Sequence, residues 1–263
     1  MIKVLVNGAG GRMGSEVVRS VIQDPELEIV GAVDPGVAGK DLGEVIGTVP
    51  NGIKIEKSIQ DALEKIHPDV VVDFTSPKVI YENAKYVLSH GVHLVVGTTG
   101  LTAEQRAELA EIAGSHHANG LVAPNFSLGA VLLMQVSAEI AKYLPNAEII
   151  ELHHNHKYDA PSGTAKLTAE KMAQARTTAP EPDETKESLS GVRGGKYEGI
   201  TIHSVRLPGY VAHQEVLFGG YGEILTLRHD SLDRKSFMPG VMLACKKAVE
   251  KPGFFYGLEN YLD

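Results

Sequence analysis

Ile2-Lys-Val-Leu-Val-Asn-Gly-Ala-Gly-Gly-Arg-Met-Gly14 is the stretch on which the fold turns. Ile2 to Val6 is a short apolar run rich in β-branched residues, the composition of a strand. Asn7 to Gly14 is dense in glycine, and Ser15 to Ile22 then sets Val17, Val18, Val21 and Ile22 at helical spacing. Glu28 to Asp34 reads as a second strand that ends in an acid. A dinucleotide-binding βαβ unit needs glycines so that backbone can approach a pyrophosphate at the helix start. It also needs an acid about 20 positions on to hold ribose hydroxyls, and Asp34 is placed for that. The fingerprint is offset: Gly8 and Gly10 fit G-x-G-x-x-G, but the sixth position is Met13 and the glycine arrives at Gly14. Gly8, Gly11 and Gly14 give G-x-x-G-x-x-G instead. Arg12 reads equally as a phosphate contact or a solvated first-turn residue.

Outward from that unit the alternation continues. Ile53 to Glu56 reads as an edge strand, Ile59 to Ile66 as a helix and Val70 to Phe74 as a fully apolar strand of the kind buried in parallel sheets. Helix Val79 to Ser89, strand His93 to Val96, helix Ala103 to Ser115 and strand Leu121 to Ala123 follow. Asp73 to Pro77, Gly97 to Gly100 and Pro124 to Ser127 then fall at the carboxyl edge of one sheet, where open α/β folds bind ligands. Any one of these turns alone is ordinary loop punctuation. After Ser127 the pattern changes to a longer apolar helix, Leu128 to Leu144, then strand Glu148 to Leu152 and helix Ser162 to Arg176. Thr177 to Lys196 is polar, a surface excursion, lid or linker. Ile200 to Leu207, Gln214 to Phe218 and Glu223 to His229 read as strands on short turns, and Lys235 to Glu250 as a helix. The expected fold class is therefore α/β. A Rossmann-like parallel-sheet nucleotide domain, 1–127, is followed by a second α+β domain, 128–239, with a mixed, largely open sheet, and the active site is expected in a cleft between them.

Composition describes an ordinary soluble globular protein: 263 residues, 43% hydrophobic and 22% charged. A formal charge of -8 argues against nucleic acid or an anionic membrane as partner. No apolar run approaches the roughly 20 residues of a membrane helix, and the amino terminus reaches glycine too early for a secretory core. The single cysteine, Cys245, forms no internal disulfide, which suits a cytoplasmic location. Its spacing with Val241 and Ala248 makes it a packing residue.

The chemistry concentrates in Glu151-Leu-His-His-Asn-His-Lys-Tyr-Asp-Ala-Pro-Ser-Gly-Thr-Ala165. His153, His154, His156 and Lys157 supply proton donors and fixed charge. A helix opened by Pro161, Ser162, Gly163 and Thr164 turns backbone N–H groups and its positive end toward an anion. No metal is expected: the histidines lie in a strand-to-loop passage without a second cluster, and neighbours on a strand point to opposite faces. His156 reads as a loop residue in preference to a phosphate or carboxylate helper, His116 and His117 as partners of a helix end, and Arg206 as a bridge between subunits or strands with no assigned role.

Gly8-Ala-Gly-Gly-Arg-Met-Gly14, Gly97-Thr-Thr-Gly100, Pro124-Asn-Phe-Ser127, the Glu151–Ala165 motif and His203-Ser-Val-Arg-Leu-Pro-Gly-Tyr-Val-Ala-His-Gln-Glu215 together resemble the 4-hydroxy-tetrahydrodipicolinate reductase (dihydrodipicolinate reductase) family of bacterial lysine and diaminopimelate synthesis. The resemblance spans essentially the whole chain, and the histidine-lysine motif is its specific part. It implies hydride transfer from a reduced nicotinamide to a small dicarboxylate substrate, with His153 as proton donor and Lys157 as catalytic lysine. It further implies substrate contacts from His154, Gly163 and Thr164. The implied nucleotide site is Gly8, Ala9, Gly10, Gly11, Arg12, Met13, Gly14 and Asp34, with Gly97, Thr98, Thr99, Pro124, Asn125 and Phe126 near the nicotinamide. It also implies a cytoplasmic homotetramer built through the second domain's sheet, and a C-terminal helix, about 240–263, returning to the nucleotide domain. Asp34 would repel a 2′-phosphate, and Pro35 and Gly36 offer no cation, so NADH is the expected cofactor with NADPH also accepted. A semialdehyde dehydrogenase would need a cysteine nucleophile, for which only Cys245 is available. A nucleotide-binding module without catalysis would leave the histidine-lysine motif without a purpose.

Overall fold

The computed structural model describes residues Met1–Leu262. In chain order the elements are β1 (Ile2–Asn7), α1 (Arg12–Gln23), β2 (Leu27–Val33), α2 (Leu42–Val45), α3 (Ile59–Leu63), β3 (Val70–Asp73), α4 (Ile80–Ser89), β4 (His93–Val96), α5 (Ala103–Ser115) and β5 (Gly120–Val122). They continue with α6 (Leu128–Ala141), β6 (Asn146–His153), α7 (Gly163–Ala175), β7 (Gly195–Tyr197), β8 (Ile200–Arg206), β9 (Ala212–Gly220), β10 (Glu223–Ser231), α8 (Met238–Glu250) and β11 (Phe254–Tyr256). Two compact units result. One is Met1–Phe126 joined by the chain from Phe237 onward, the other Ser127–Ser236.

The first unit is built on a parallel sheet in the order β11-β5-β4-β3-β1-β2. Val70, Val71 and Val72 are fully buried, as the apolar run of a central parallel strand requires. Leu5, Val71 and Leu94 of the sheet share one core with Ile80 and Leu88 of α4 and Leu109 of α5. Strand order reverses between β1 and β3, so the turns after those strands flank the point where doubly wound sheets take their ligands.

Two expectations are corrected. Ile53 to Glu56 is not a strand: it makes only isolated bridges, Val33 with Glu56 and Asp41 with Lys54. The Asp41 carboxylate gathers the N–H groups of Gly43, Asn51 and Gly52 at 2.9, 3.1 and 2.9 Å. Ile55 and Glu56 themselves donate to the Lys40 and Ala32 carbonyls, one to each side, so no continuous ladder forms. The range 240–263 is not one helix either. α8 ends at Glu250, because Pro252 draws Lys251 into extended backbone and Gly253 takes a φ of +121°. The chain then adds β11 in parallel beside β5, at the sheet edge. Asp263, the last residue of that range, lies outside the described residues.

The second unit holds a five-stranded sheet, β10-β9-β6-β8-β7, in which β6 and β8 run parallel and the other pairs antiparallel. Its core joins Leu133 of α6 and Ala165, Ala169 and Met172 of α7 to Ile149, Ile202, Val216 and Phe218 of the sheet. β6 is central, and its C-terminal end runs directly into the histidine-lysine segment.

Candidate active site

At the nucleotide edge of the first unit, the glycines are set by how closely backbone approaches backbone. Gly8 has a φ of +86°, and a Cβ built on it would meet the Phe74 carbonyl oxygen at 2.4 Å. A Cβ on Gly14 would meet the Gly8 oxygen at 2.0 Å, so α1 can pack against the end of β1 only with glycine at that position. Gly11 is the N-cap of α1, and Arg12 and Met13 open its first turn, with Arg12 exposed. Asp34 follows β2 and accepts the N–H groups of Gly10 and Gly36, both at 2.9 Å. Each carboxylate oxygen keeps a second lone pair for a ribose hydroxyl. The glycine cradle, the helix start and Asp34 fit a dinucleotide.

The neighbouring strand ends converge on one carboxylate that the sequence did not single out. Asp73, 1% exposed at the end of β3, accepts from Asn7 Nδ2 at 2.8 Å and from the hydroxyls of Thr75 and Thr98 at 2.7 Å each. Burial pushes its carboxyl above the usual range, against the hydrogen bonds from Thr75, Thr98 and Asn83. These bonds fix the Gly97–Gly100 turn, leaving Thr99 exposed and Thr98 buried. Phe74 lies against Gly97, where a Cβ would strike its ring at 2.1 Å, and 5.8 Å from the Phe126 ring. Pro124 is exposed, Asn125 half-buried and Phe126 buried in the turn after β5. The sequence-derived cofactor residues thus gather at the carboxyl ends of β1, β2, β4 and β5.

In the second unit, Glu151 and His153 share a face of β6, being two residues apart. Glu151 is fully buried. Its carboxylate accepts from His153 Nδ1, from Arg206 Nη1 at 2.9 Å and Nη2 at 2.7 Å, and from the Ser162 N–H at 3.3 Å. Burial works to raise the Glu151 carboxyl, but hydrogen bonds from His153, Arg206 and Ser204 outweigh it and hold the group down at about 2. Parallel register sets His153 opposite Arg206, which brings the arginine to the carboxylate.

Beyond β6 the chain turns, with the Lys157 N–H donating to the His154 carbonyl at 3.2 Å. Lys157 Nζ lies 2.7 Å from Asp159 Oδ1, and that lysine holds the Asp159 carboxyl below its ordinary range against partial burial. Partial burial first, then the neighbouring His153, His156, Lys157 and Arg234, push the His154 ring below the ordinary imidazole value. His156 is exposed, its ring 6.3 Å from that of His154. Ser162 caps α7 by accepting the Ala165 N–H at 3.2 Å, which makes Gly163 and Thr164 the first residues of the helix. His153, Lys157 and the α7 start are therefore held within one short segment, anchored through Glu151.

Glu151, Arg206 and Asp73 were not assigned roles from the sequence. A signal for Glu151 was present: a lone acid facing the core from an apolar strand must find a partner, and Arg206 was the unassigned cation. Cys245 is fully buried, and burial pushes its thiol up to about 12, which removes it as a nucleophile. Among the described residues no group of three or more His, Cys, Asp or Glu side chains is arranged to hold a metal ion. No helix among them is long and apolar enough to cross a membrane.

Comparison with known proteins bears on both halves of the molecule. The family model for the dihydrodipicolinate reductase N-terminus matches residues 2–126, and that for the C-terminus matches residues 129–262. The chain belongs to the dihydrodipicolinate reductase family. It is accordingly an oxidoreductase, with a pyridine-nucleotide fold. A 4-hydroxy-tetrahydrodipicolinate reductase of Listeria welshimeri is 52% identical over 263 residues, covering 100% of both chains. One of Moorella thermoacetica is 47% identical, covering 100% of this chain and 98% of the relative. Among solved structures, a dipicolinate-bound dihydrodipicolinate reductase from Paenisporosarcina sp. superposes with a TM-score of 0.88 at 42% identity, covering 100% of both chains.

Proposed function

We propose that the protein reduces 4-hydroxy-tetrahydrodipicolinate to tetrahydrodipicolinate, with loss of water, in lysine and diaminopimelate biosynthesis. The observation that carries this reading is the segment from His153 to Thr164: a proton donor, a lysine and a helix start side by side suit a small dicarboxylate. Relatives at 52% and 47% identity carry the reductase name, and the dipicolinate-bound neighbour supports a planar dicarboxylate ligand.

In this reading a bound reduced nicotinamide supplies the hydride. Gly8, Ala9, Gly10, Gly11 and the first turn of α1, Arg12, Met13 and Gly14, hold the pyrophosphate. Asp34 holds ribose hydroxyls, and Gly97–Thr99 with Pro124–Phe126 border the nicotinamide. His153 gives a proton to the ring carbon next to the one reduced. Lys157 exchanges its exposed partner Asp159 for one substrate carboxylate, a small cost because such a surface pair is weak. Gly163 and Thr164 receive the other carboxylate at the helix start, and His154 borders the ring. Asp34 favours NADH, with NADPH accepted. The resemblance to the family further supports a cytoplasmic homotetramer formed through the second unit's sheet, which light scattering at about four times 28.2 kDa would test.

Freshly generated substrate is expected to drive loss of reduced-nicotinamide absorbance, with a higher kcat/KM for NADH than for NADPH. A flat trace contradicts the function. A large NADPH advantage contradicts only the role of Asp34.

A further inference from the structure

We infer that Glu151 and Arg206 are positioning residues for the proton donor His153, and that Glu151 ties that donor to the substrate-holding start of α7. The inference rests on the proposed role of His153.

The Glu151 carboxylate is ringed by donors, Ser204 among them. Its two oxygens receive both terminal nitrogens of Arg206, the Nδ1 of His153 and the N–H of Ser162. Arg206 Nη2 also donates to the Asp159 carbonyl at 2.7 Å, which pins the loop that carries Lys157. One buried anion thus joins β6, β8, the loop and the helix N-cap.

The chemistry follows from what a carboxylate can accept. An ionised carboxylate is an acceptor only, so the His153 nitrogen facing it carries hydrogen, and Nε2 is the atom left for the substrate. In the proton transfer the Nε2–H bond breaks and its electron pair stays on nitrogen. A C–H bond forms on the ring carbon beside the one that took hydride, while the substrate is reduced and the bound nicotinamide oxidised. Nδ1–H stays on Glu151 before and after, so the ring need not turn during the reaction. Arg206 balances the buried anion, which would otherwise be costly to keep ionised. Without the Glu151 carboxylate, Arg206 loses its two-pronged partner.

The test uses the full-length protein. Glu151→Gln keeps the shape but removes the charge. Its kcat is expected to fall about 10- to 100-fold, part of what a positioned acid contributes. Binding of NADH, followed by nucleotide fluorescence, should be unchanged. Nitrogen-15 spectra of the imidazoles should report the Nδ1–H form of His153 in the wild type and its loss in the variant. Arg206→Lys, which keeps the charge without the two-pronged grip, should lose about tenfold in kcat. A Glu151→Gln protein that melts earlier yet keeps the wild-type kcat and tautomer overturns the inference. A wild-type His153 whose neutral ring is the Nε2–H tautomer, with no hydrogen on Nδ1, overturns it too, even should the variant fail to fold. His153→Ala, run in parallel, separates the two levels. If that variant turns over normally, the proton-donor reading itself fails. If it is slow while Glu151→Gln is not, only the positioning role fails.

Discussion

Asp73 in the nucleotide unit and Glu151 in the second unit are both sealed from solvent, at 1% and 0% exposed, and their surroundings differ in kind. Asp73 receives hydrogen bonds from two hydroxyls, the Thr75 N–H and the amides of Asn7 and Asn83, and burial leaves its carboxyl above the usual range. Glu151 receives an arginine and a histidine, and its carboxyl is held down at about 2. Neutral donors can fix the shape of a turn without fixing a charge. Cationic donors fix the charge, and in doing so they orient the groups that supply them. Asp73 therefore reads as a staple for the strand ends at the proposed nucleotide site, whereas Glu151 reads as the positioning group inferred above.

That contrast is breakable. Arg206→Met should cost about 3–5 kcal/mol, because it strands a buried charge; urea unfolding is the measurement, and a loss below about 1 kcal/mol would mean that Glu151 does not depend on this arginine. The pH response should differ in sign. With its carboxyl near 2 folded and near 4.5 unfolded, Glu151 contributes stability that is present above about pH 4.5 and is lost as the pH falls toward 2. The difference between wild type and Glu151→Gln should therefore shrink by about 3 kcal/mol across that window. Asp73, raised in the folded state, contributes stability that is fully present at low pH and lost as the pH rises through its folded value, so the wild type should gain on Asp73→Asn during acidification. Equal signs would erase the distinction. Smallest is Thr98→Val, which withdraws one neutral donor from Asp73. It should cost about 1–2 kcal/mol in unfolding, with a few-fold weaker NADH binding as the Gly97–Gly100 turn loosens.

Legibility in the sequence followed the range of the interactions. The βαβ start was readable because strand, glycine turn, helix and acid lie within 34 consecutive residues and each has a local signature. The strand β11 was not, since three residues after Gly253 become a strand only by pairing with β5, far earlier in the chain. Ile53 to Glu56 alternates like a strand, yet its backbone divides its bonds between Ala32 and Asp34 on one side and Gly39, Lys40 and Leu42 on the other, which leaves isolated bridges. In the site, His153, Lys157 and the α7 start were readable as residue types in one short segment. Glu151 stood beside them without a role because its decisive partner, Arg206, arrives only through the β6–β8 register. Likewise Asp73 ended an apolar strand, and nothing local revealed that Asn7 and Thr98 would meet on it.

The central claim is that the second unit gives the proton, through His153, to a substrate reduced by hydride from the nucleotide. Steady-state turnover of His153→Ala, with NADH binding measured on the same preparation, tests it most directly. The account predicts a kcat lower by about 10²- to 10⁴-fold with nucleotide affinity retained; wild-type turnover in that variant would contradict it.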